Sequence, residues 1–311
     1  MNASSDTHER EVVVRLNSGL GNQLFQLAQG LAVAQRHEAR LRFDTTWYRL
    51  VAGMHPVKRQ LRIPEFGVFV PEAFTGPRRL AVGLLGAFFD KTRKGKSLLS
   101  ALGAMRVIQE DTLGRRHETE LRDFRTKRIF LNGYWQTNQP FLAIRSHLLE
   151  KLQPKNPLSK GAATIIAKAA SGTTGFIHVR RGDYIQCMGD RGVLPLSYYA
   201  NAMAKLREIG REIANWLVIS EDSAWVKANM QFVPNAEIVD YQSPNRDIED
   251  LLIMKECSGG IIANSSYSWW GAALGDRAQR PIITPDRYWK DSSWTADGWA
   301  LPNWLQVPAW Q

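Results

Sequence analysis

The feature that most restricts this chain is the rhythm of its C-terminal half. Five short apolar runs recur there: TGFIHVR (174–180), NWLVIS (215–220), AEIVD (236–240), GGIIAN (259–264) and PIIT (281–284). Helical patterns at 197–214, 223–231, 246–257 and 265–276 separate them. Short strands apolar on both faces and alternating with helices predict a parallel sheet covered on both sides. Ligands of such a doubly wound sheet gather at the carboxyl ends of its strands, where the chain keeps its unusual polar residues.

The N-terminal half begins in the same style. Residues 11–16 read as a strand that runs into a glycine turn. A helix follows with Leu20, Leu24, Leu27, Ala28, Leu31 and Ala32 on one face, and then ARLRFD (39–44) as a second strand. This is a βαβ start, so the half is expected to be α/β. RIFLNGYWQ (128–136) returns to strand character and 140–152 to helix. Between them, 78–106 is basic and partly apolar, with no clear strand. A length of 311 residues suggests two domains at about 150 residues each. The boundary is expected in the Pro-, Ser- and Gly-rich segment 153–161. The organisation expected is a frayed tail at 1–10, a domain at 11–158 and a second domain at 159–311, Trp-rich from about 285.

The net charge of +10 invites a nucleic-acid reading, but its placement argues otherwise. Residues 1–160 hold 26 basic and 14 acidic side chains (net +12), and residues 161–311 hold 14 and 16 (net −2). The excess is N-terminal, is not interleaved with aromatics, and accompanies no recognisable RRM, OB or helix-turn-helix signature. Two cysteines, Cys187 and Cys257, are too few for a disulfide framework or a cysteine zinc site. The segment after Met1 lacks an apolar signal-peptide core, and the longest apolar run, 81–89, is well short of the ~20 residues that span a bilayer. A cytoplasmic protein is expected. The basic insert, Arg78 to Arg106, flanks its apolar run with cations, so it is expected either to touch an anionic membrane at the inner face or to pack that run inward.

Four segments carry chemistry. GLGNQLFQLA (19–28) opens a helix after the first strand, and two glycines there let a ligand approach a helix N-terminus. Leu24 stands where the dinucleotide fingerprint needs its third glycine, which opposes that reading. Asn22 and Gln23 are candidate ligand contacts, or capping groups of a tight turn. HVRRGDY (178–184) ends a strand. Strand alternation puts His178 and Arg180 on one face and Arg181 on the other. A guanidinium there suits a phosphate clamp oriented by Asp183, or a plain Arg–Asp pair holding a loop. In the third segment, Asn264, Ser265 and Ser266 begin a helix whose N–H groups and hydroxyls suit an anion. Asp250, on the helix before, offers the carboxylate that guanine's N1–H and N2–H₂ require. In the fourth, ISEDSAW (219–225), Glu221 and Asp222 either meet a ligand hydroxyl or cap the next helix. The six histidines show no metal-ligand spacing, and no Asp-x-Asp stands at a strand end.

Taken together these segments resemble the α-1,2-fucosyltransferases of glycosyltransferase family 11. GLGNQLFQLA is similar to the family's opening motif and HVRRGDY to its H-x-R-R-x-D motif. ISEDSAW and IIANSSYSWWGAAL resemble two further motifs, in order, and LRFDTTWY and GYWQ share the family's character. Leu27, where tyrosine is usual, and the basic insert depart from the pattern. The resemblance implies an α/β GT-B-type fold, two Rossmann-like domains facing across a cleft. It implies inverting transfer of L-fucose from GDP-fucose to the 2-hydroxyl of a galactose-terminated oligosaccharide, with no cofactor and no divalent metal. The C-terminal half would hold the donor and the N-terminal half the acceptor. Arg180 would bind the β-phosphate, Asp183 would support the arginines, Arg181 would belong to the donor-binding set, and His178 would line the nucleotide pocket. Asp250 would read guanine, Ser265 and Ser266 would hold phosphate oxygens, and Asn22, with Gln23 beside it, would lie near the fucose of the donor. Asp44, Asp183 and Glu221 are the carboxylates expected to compete for the role of base. The alternatives are another GDP-sugar transferase, or a basic protein that binds glycan or nucleic acid without turnover.

Overall fold

The computed structural model describes residues 10–310 apart from 55–56, 89–96, 99, 102–103, 111–120, 122–125 and 292–294. The chain divides between Lys155 and Asn156 into two units.

The first unit is built on a parallel sheet of β1 (Glu11–Arg15), β2 (Arg40–Asp44), β3 (Arg106–Gln109) and β4 (Arg128–Asn132), in the order β2-β1-β4-β3. Val12, Val13 and Val14 are completely buried because β1 is central and covered on both faces, each burial worth about 1.5–3 kcal/mol. Its helices are α1 (Leu20–Arg36), α2 (Thr46–Leu50), α3 (Gly76–Phe88) and α4 (Asn138–Lys151). The basic segment that showed no strand from sequence contains α3 and leads into β3. Four residues, RVIQ, among cations are too short a signal to register as a strand. Val82 and Leu85 of α3 pack with Val13, Phe74, Met105 and Phe130 against the sheet. Lys91, Arg93, Lys94 and Lys96, and the 1–9 tail, lie outside the described residues.

The second unit carries six parallel strands in the order β10-β9-β8-β5-β6-β7. These are β5 (Thr174–Val179), β6 (Asn215–Ser220), β7 (Ala236–Ile238), β8 (Gly260–Ile261), β9 (Ile282–Pro285) and β10 (Leu305–Val307). The helices are α5 (Lys160–Ala169), α6 (Gly182–Cys187), α7 (Leu196–Glu208), α8 (Ser223–Asn229), α9 (Arg246–Glu256) and α10 (Ser266–Leu274). Helix α5 begins inside the segment read as linker, capped by Ser159, whose Oγ accepts from Ala162 N. Helix α7 stops short of Ala214 because Gly210 takes a φ of +67° just beyond it.

The tryptophans of the last segment are structural. Trp269 and Trp270 are buried, Trp269 donates to the Trp299 carbonyl (2.7 Å), and its ring meets Trp304. Trp294 lies outside the described residues. Buried Arg280 donates to the carbonyls of Cys257 (2.9 Å), Ala272 (2.6 Å) and Met254, a cation placed over the carboxyl ends of α9 and α10. Burial lowers its pKa to about 10, which leaves it charged. Among the described residues no helix is long and apolar enough to cross a membrane. Two helix-covered parallel sheets in succession make this an α/β chain of the GT-B type.

Candidate active site

The second sheet reverses its strand order once, at β5, whereas the first, β2-β1-β4-β3, changes direction twice. In the second unit the reversal lies between β5 and β8, so the loops leaving those strands, 180–184 and 262–266, flank the crevice where α/β sheets bind ligands. Two of the four sequence motifs occupy these loops.

Arg180 is held there by two carboxylates. One Nη donates to Asp183, in the first turn of α6, and the other lies 3.1 Å from Glu221 Oε1 beyond β6. Burial alone would lower the arginine's pKa, but Glu221 and Asp183 more than offset it, and the net shift is upward. The guanidinium lies 5.2 Å from the Tyr184 ring, and its Nε is buried without a partner. An arginine offers five N–H donors, so Arg180 is oriented and still has donors to give. Glu221 also accepts the Arg181 backbone N–H (3.3 Å). It fits only because residue 182 is glycine: a Cβ there would stand 2.6 Å from Glu221 Oε1.

His178, on the same face of β5 as Arg180, is 2% exposed and stacks near Tyr267 at 5.5 Å. Burial, then Arg180, lowers its pKa to about 3, so the imidazole is neutral, and its Nδ1 is buried without a partner. Arg181 turns away, as alternation requires. It pairs with Asp222 (3.1 Å) and lies 3.8 Å over Trp225. Asp222 caps α8 by accepting from Trp225 N. Arg181, Glu221 and Asp222 thus form a brace around Arg180, where ligand contact was also expected of them.

The start of α10 differs from the open N-terminus expected. Ser265 Oγ accepts from Tyr267 N (3.3 Å), so the serine that would meet an anion also caps its own helix. Tyr184 Oη donates to the Asn264 carbonyl (3.1 Å) and so ties the start of α6 to the loop before α10. What α10 offers a ligand includes the hydroxyls of Ser265 and Ser266.

Asp250 on α9 accepts from Tyr241 Oη (2.9 Å) and lies 3.5 Å from Arg246 Nε. Burial outweighs both partners and raises its pKa to about 6. The Tyr267 hydroxyl donates to the Asp247 carbonyl (2.6 Å), and burial, with the nearby carboxylates, raises its pKa well above the ordinary tyrosine value. Tyr184, Tyr241, Tyr267 and Tyr288 were not singled out from sequence. The only available signal was that Tyr184 and Tyr267 lie inside the motifs.

In the first unit β1 and β4 are neighbours, left by the loop before α1 and by GYWQ (133–136), and the helices that follow, α1 and α4, pack on each other. Asn22 Oδ1 accepts from Gln136 Nε2 (2.6 Å). Gln23 is not a ligand group. Its Nε2 donates to the carbonyls of Ser18 and Gln60, and its Oε1 accepts from Arg62 and Ile63, so the buried amide braces the 60–63 loop. Asp44 is corrected too. It is 1% exposed, paired with Arg15 Nε (2.9 Å), and accepts from the Thr46 N–H and hydroxyl. A carboxylate that closed in cannot reach a sugar hydroxyl, because β2 ends inside the core and Asp44 starts α2.

Comparison with known proteins follows the same lines. The model of the family described as glycosyl transferase family 11 matches residues 115–307. The chain is similar to an O-antigen biosynthesis glycosyltransferase, WbnK, of Escherichia coli, 23% identical over 91% of this chain and 98% of that protein. It is also similar to an alpha-1,2-colitosyltransferase of Escherichia coli, 24% identical over 95% and 98%. Among solved structures, NodZ alpha-1,6-fucosyltransferase soaked with GDP-fucose aligns at a TM-score of 0.49, 15% identical over 85% of this chain and 92% of that one.

Proposed function

The chain belongs to glycosyl transferase family 11, and on that premise we propose that it transfers L-fucose from GDP-β-L-fucose to the 2-hydroxyl of a β-galactoside in a surface glycan or oligosaccharide. The observation that carries this reading is Arg180, oriented by Asp183 and Glu221 at the point where the sheet order reverses, with an unspent buried donor. In the reading, the acceptor oxygen attacks the sugar's anomeric carbon from the face opposite GDP. The bond to the β-phosphate oxygen breaks, the acceptor's hydroxyl proton passes to the departing diphosphate or to water, and inversion gives an α-fucoside. Arg180 neutralises charge that grows on the departing diphosphate, usually the largest catalytic contribution. Ser265 and Ser266 contact phosphate oxygens, neutral His178 offers its open Nδ1, and Asp250 accepts from guanine. With Asp183 and Glu221 spent on Arg180, leaving-group stabilisation carries more of the rate than base strength. No divalent metal is required in this reading.

A colitosyl donor is the second reading, favoured by the colitosyltransferase among the similar proteins. One experiment addresses both: GDP release and product formation from GDP-fucose, GDP-colitose and GDP-mannose with galactose-terminated acceptors, in EDTA. Turnover with GDP-fucose supports the first reading, and turnover confined to GDP-colitose the second. Turnover abolished by EDTA and restored by a divalent ion rejects the metal-free clamp.

A further inference from the structure

We propose that Tyr241 is a positioning residue for recognition of the nucleotide base, its hydroxyl gripping the Asp250 carboxylate that would accept from guanine. The inference deepens the transferase reading above and rests on Asp250 meeting guanine in it.

Tyr241 stands just past the end of β7. Val239 N donates to the Val218 carbonyl (2.9 Å), and residues 239–245 then lead into α9, whose first residue is Arg246. Arg246 folds back on that loop. Its Nη2 donates to the Val239 carbonyl (2.7 Å) and its Nη1 to the Tyr241 carbonyl (3.2 Å), while the guanidinium lies 5.2 Å from the Tyr241 ring. Tyr241 also meets α5, where a Cβ added at Gly161 would stand 2.8 Å from Tyr241 Cβ. Backbone and ring are therefore both fixed, and the hydroxyl has a set direction.

That direction is Asp250. Tyr241 Oη donates to one carboxylate oxygen (2.9 Å), and Arg246 Nε lies 3.5 Å from the other. A carboxylate held at both oxygens has its plane set, and each oxygen keeps a further lone pair for the two guanine donors. Asp250 is 7% exposed, and such burial favours the neutral acid, which makes a poor partner for two donors. A donated hydrogen bond favours the charged form and opposes that tendency.

The other groups around Asp250 do this less well. Arg246 is divided among two carbonyls, Asp240 (3.6 Å) and Asp250, and its approach to Asp250 is long for a hydrogen bond. Asp247, one turn back, repels the charge. Glu249 faces Ser159, accepting from its N (2.7 Å) and Oγ (2.9 Å), and Tyr267 gives its proton to the Asp247 carbonyl (2.6 Å). Burial and Asp250 together push the Tyr241 pKa up, so its hydroxyl stays a donor at every pH considered.

The test is isothermal titration of the full chain with GDP and ADP between pH 5 and 8.5, in wild type, Tyr241→Phe, Asp250→Asn and the double variant. The readout is the ratio of GDP to ADP affinity, in which titration of the phosphates cancels. Tyr241→Phe keeps the ring and its packing. Its guanine preference should reach half its full value about one pH unit above the wild-type midpoint. The preference should therefore fall about threefold at pH 6.5 and return to within about twofold of wild type at pH 8.5. In the Asp250→Asn background, Tyr241→Phe should change the preference by less than about twofold, because the hydroxyl acts through the carboxylate. An unchanged midpoint, or an equal loss with and without the Asp250 carboxylate, overturns the positioning role and leaves the guanine assignment standing. A wild type whose guanine preference does not vary with pH rejects the guanine assignment itself, and the positioning role with it.

Discussion

In the proposed reading, in which Asp250 accepts from guanine, nucleotide recognition is tied to pH in a way that can be worked out in advance. Burial holds the Asp250 pKa at about 6 despite a hydrogen bond from Tyr241 and a nearby Arg246. The folded value lies above the unfolded 3.8, so protonation favours the fold. Stability from this group is fully present below pH ~4 and is lost as pH rises through about 6, leaving a cost of about 3 kcal/mol at neutral pH. A guanine that donates two hydrogen bonds to the carboxylate offsets that cost, so binding needs the form that folding disfavours. At pH 5 only about a tenth of the carboxylates are ionised, and GDP affinity should fall about tenfold between pH 7.5 and 5. GDP's own phosphate titrates in the same range, so the assay is isothermal titration of GDP and ADP side by side at pH 5, 6 and 7.5. The difference between their pH profiles isolates the base. Asp250→Asn should remove that difference and weaken GDP binding by about 10- to 100-fold at pH 7.5, as expected for losing charge-assisted hydrogen bonds. Identical pH profiles for GDP and ADP in the wild type would refute the guanine assignment.

Other expectations follow from the same geometry. Arg180→Ala should lower turnover by about 10²–10³-fold, the loss of one oriented donor to the leaving group, and near-wild-type kcat would remove the clamp. Gly182→Ala pushes a methyl group into Glu221, so it should cut kcat while Tm falls little, and an unaltered kcat would show that the brace does not position Arg180. Arg280→Met strands three buried carbonyls and should cost about 3 kcal/mol or more, read as a lowered Tm with GDP present or absent. Contact of the 78–106 segment with anionic membranes is a proposal checked by co-sedimentation with anionic and neutral vesicles. Because Val82 and Leu85 face the sheet, the attraction expected is salt-sensitive, and equal sedimentation with both vesicles would count against it.

The sheets were legible in the sequence because buried parallel strands must be apolar on both faces, and few other segments look like TGFIHVR or EVVVR. Strand β10 was missed, since LQV lies among Pro and Trp residues that obscure a three-residue signal. The site motifs were legible as places but less so as roles. Sequence spacing put Arg180 and Asp183 three residues apart, and the structure joins them. It could not show that Glu221, 41 residues on, completes the grip on Arg180, because that contact depends on β5 lying beside β6. Nor could it show that Asp44 and Gln23 spend their polar atoms on the protein itself, since exposure and burial at a strand end look alike in one dimension. The bond from Tyr184 to the Asn264 carbonyl escaped for the same reason: a hydroxyl's partners are set by folding, and nothing local marks them.

The tryptophan pairing across the second unit carries a consequence for how the protein is made. Helix α10, which begins at the paired serines, finds the partner of its Trp269 indole in the Trp299 carbonyl, and β9 finds its neighbour in β10 at 305–307. During translation the ribosome must release both stretches before the second unit can close. Until then the nascent chain exposes a bare strand edge and an unsatisfied indole. That interval, more than any feature of the finished fold, is where a holding chaperone would matter and where premature termination would leave a chain with all its motifs and no working crevice.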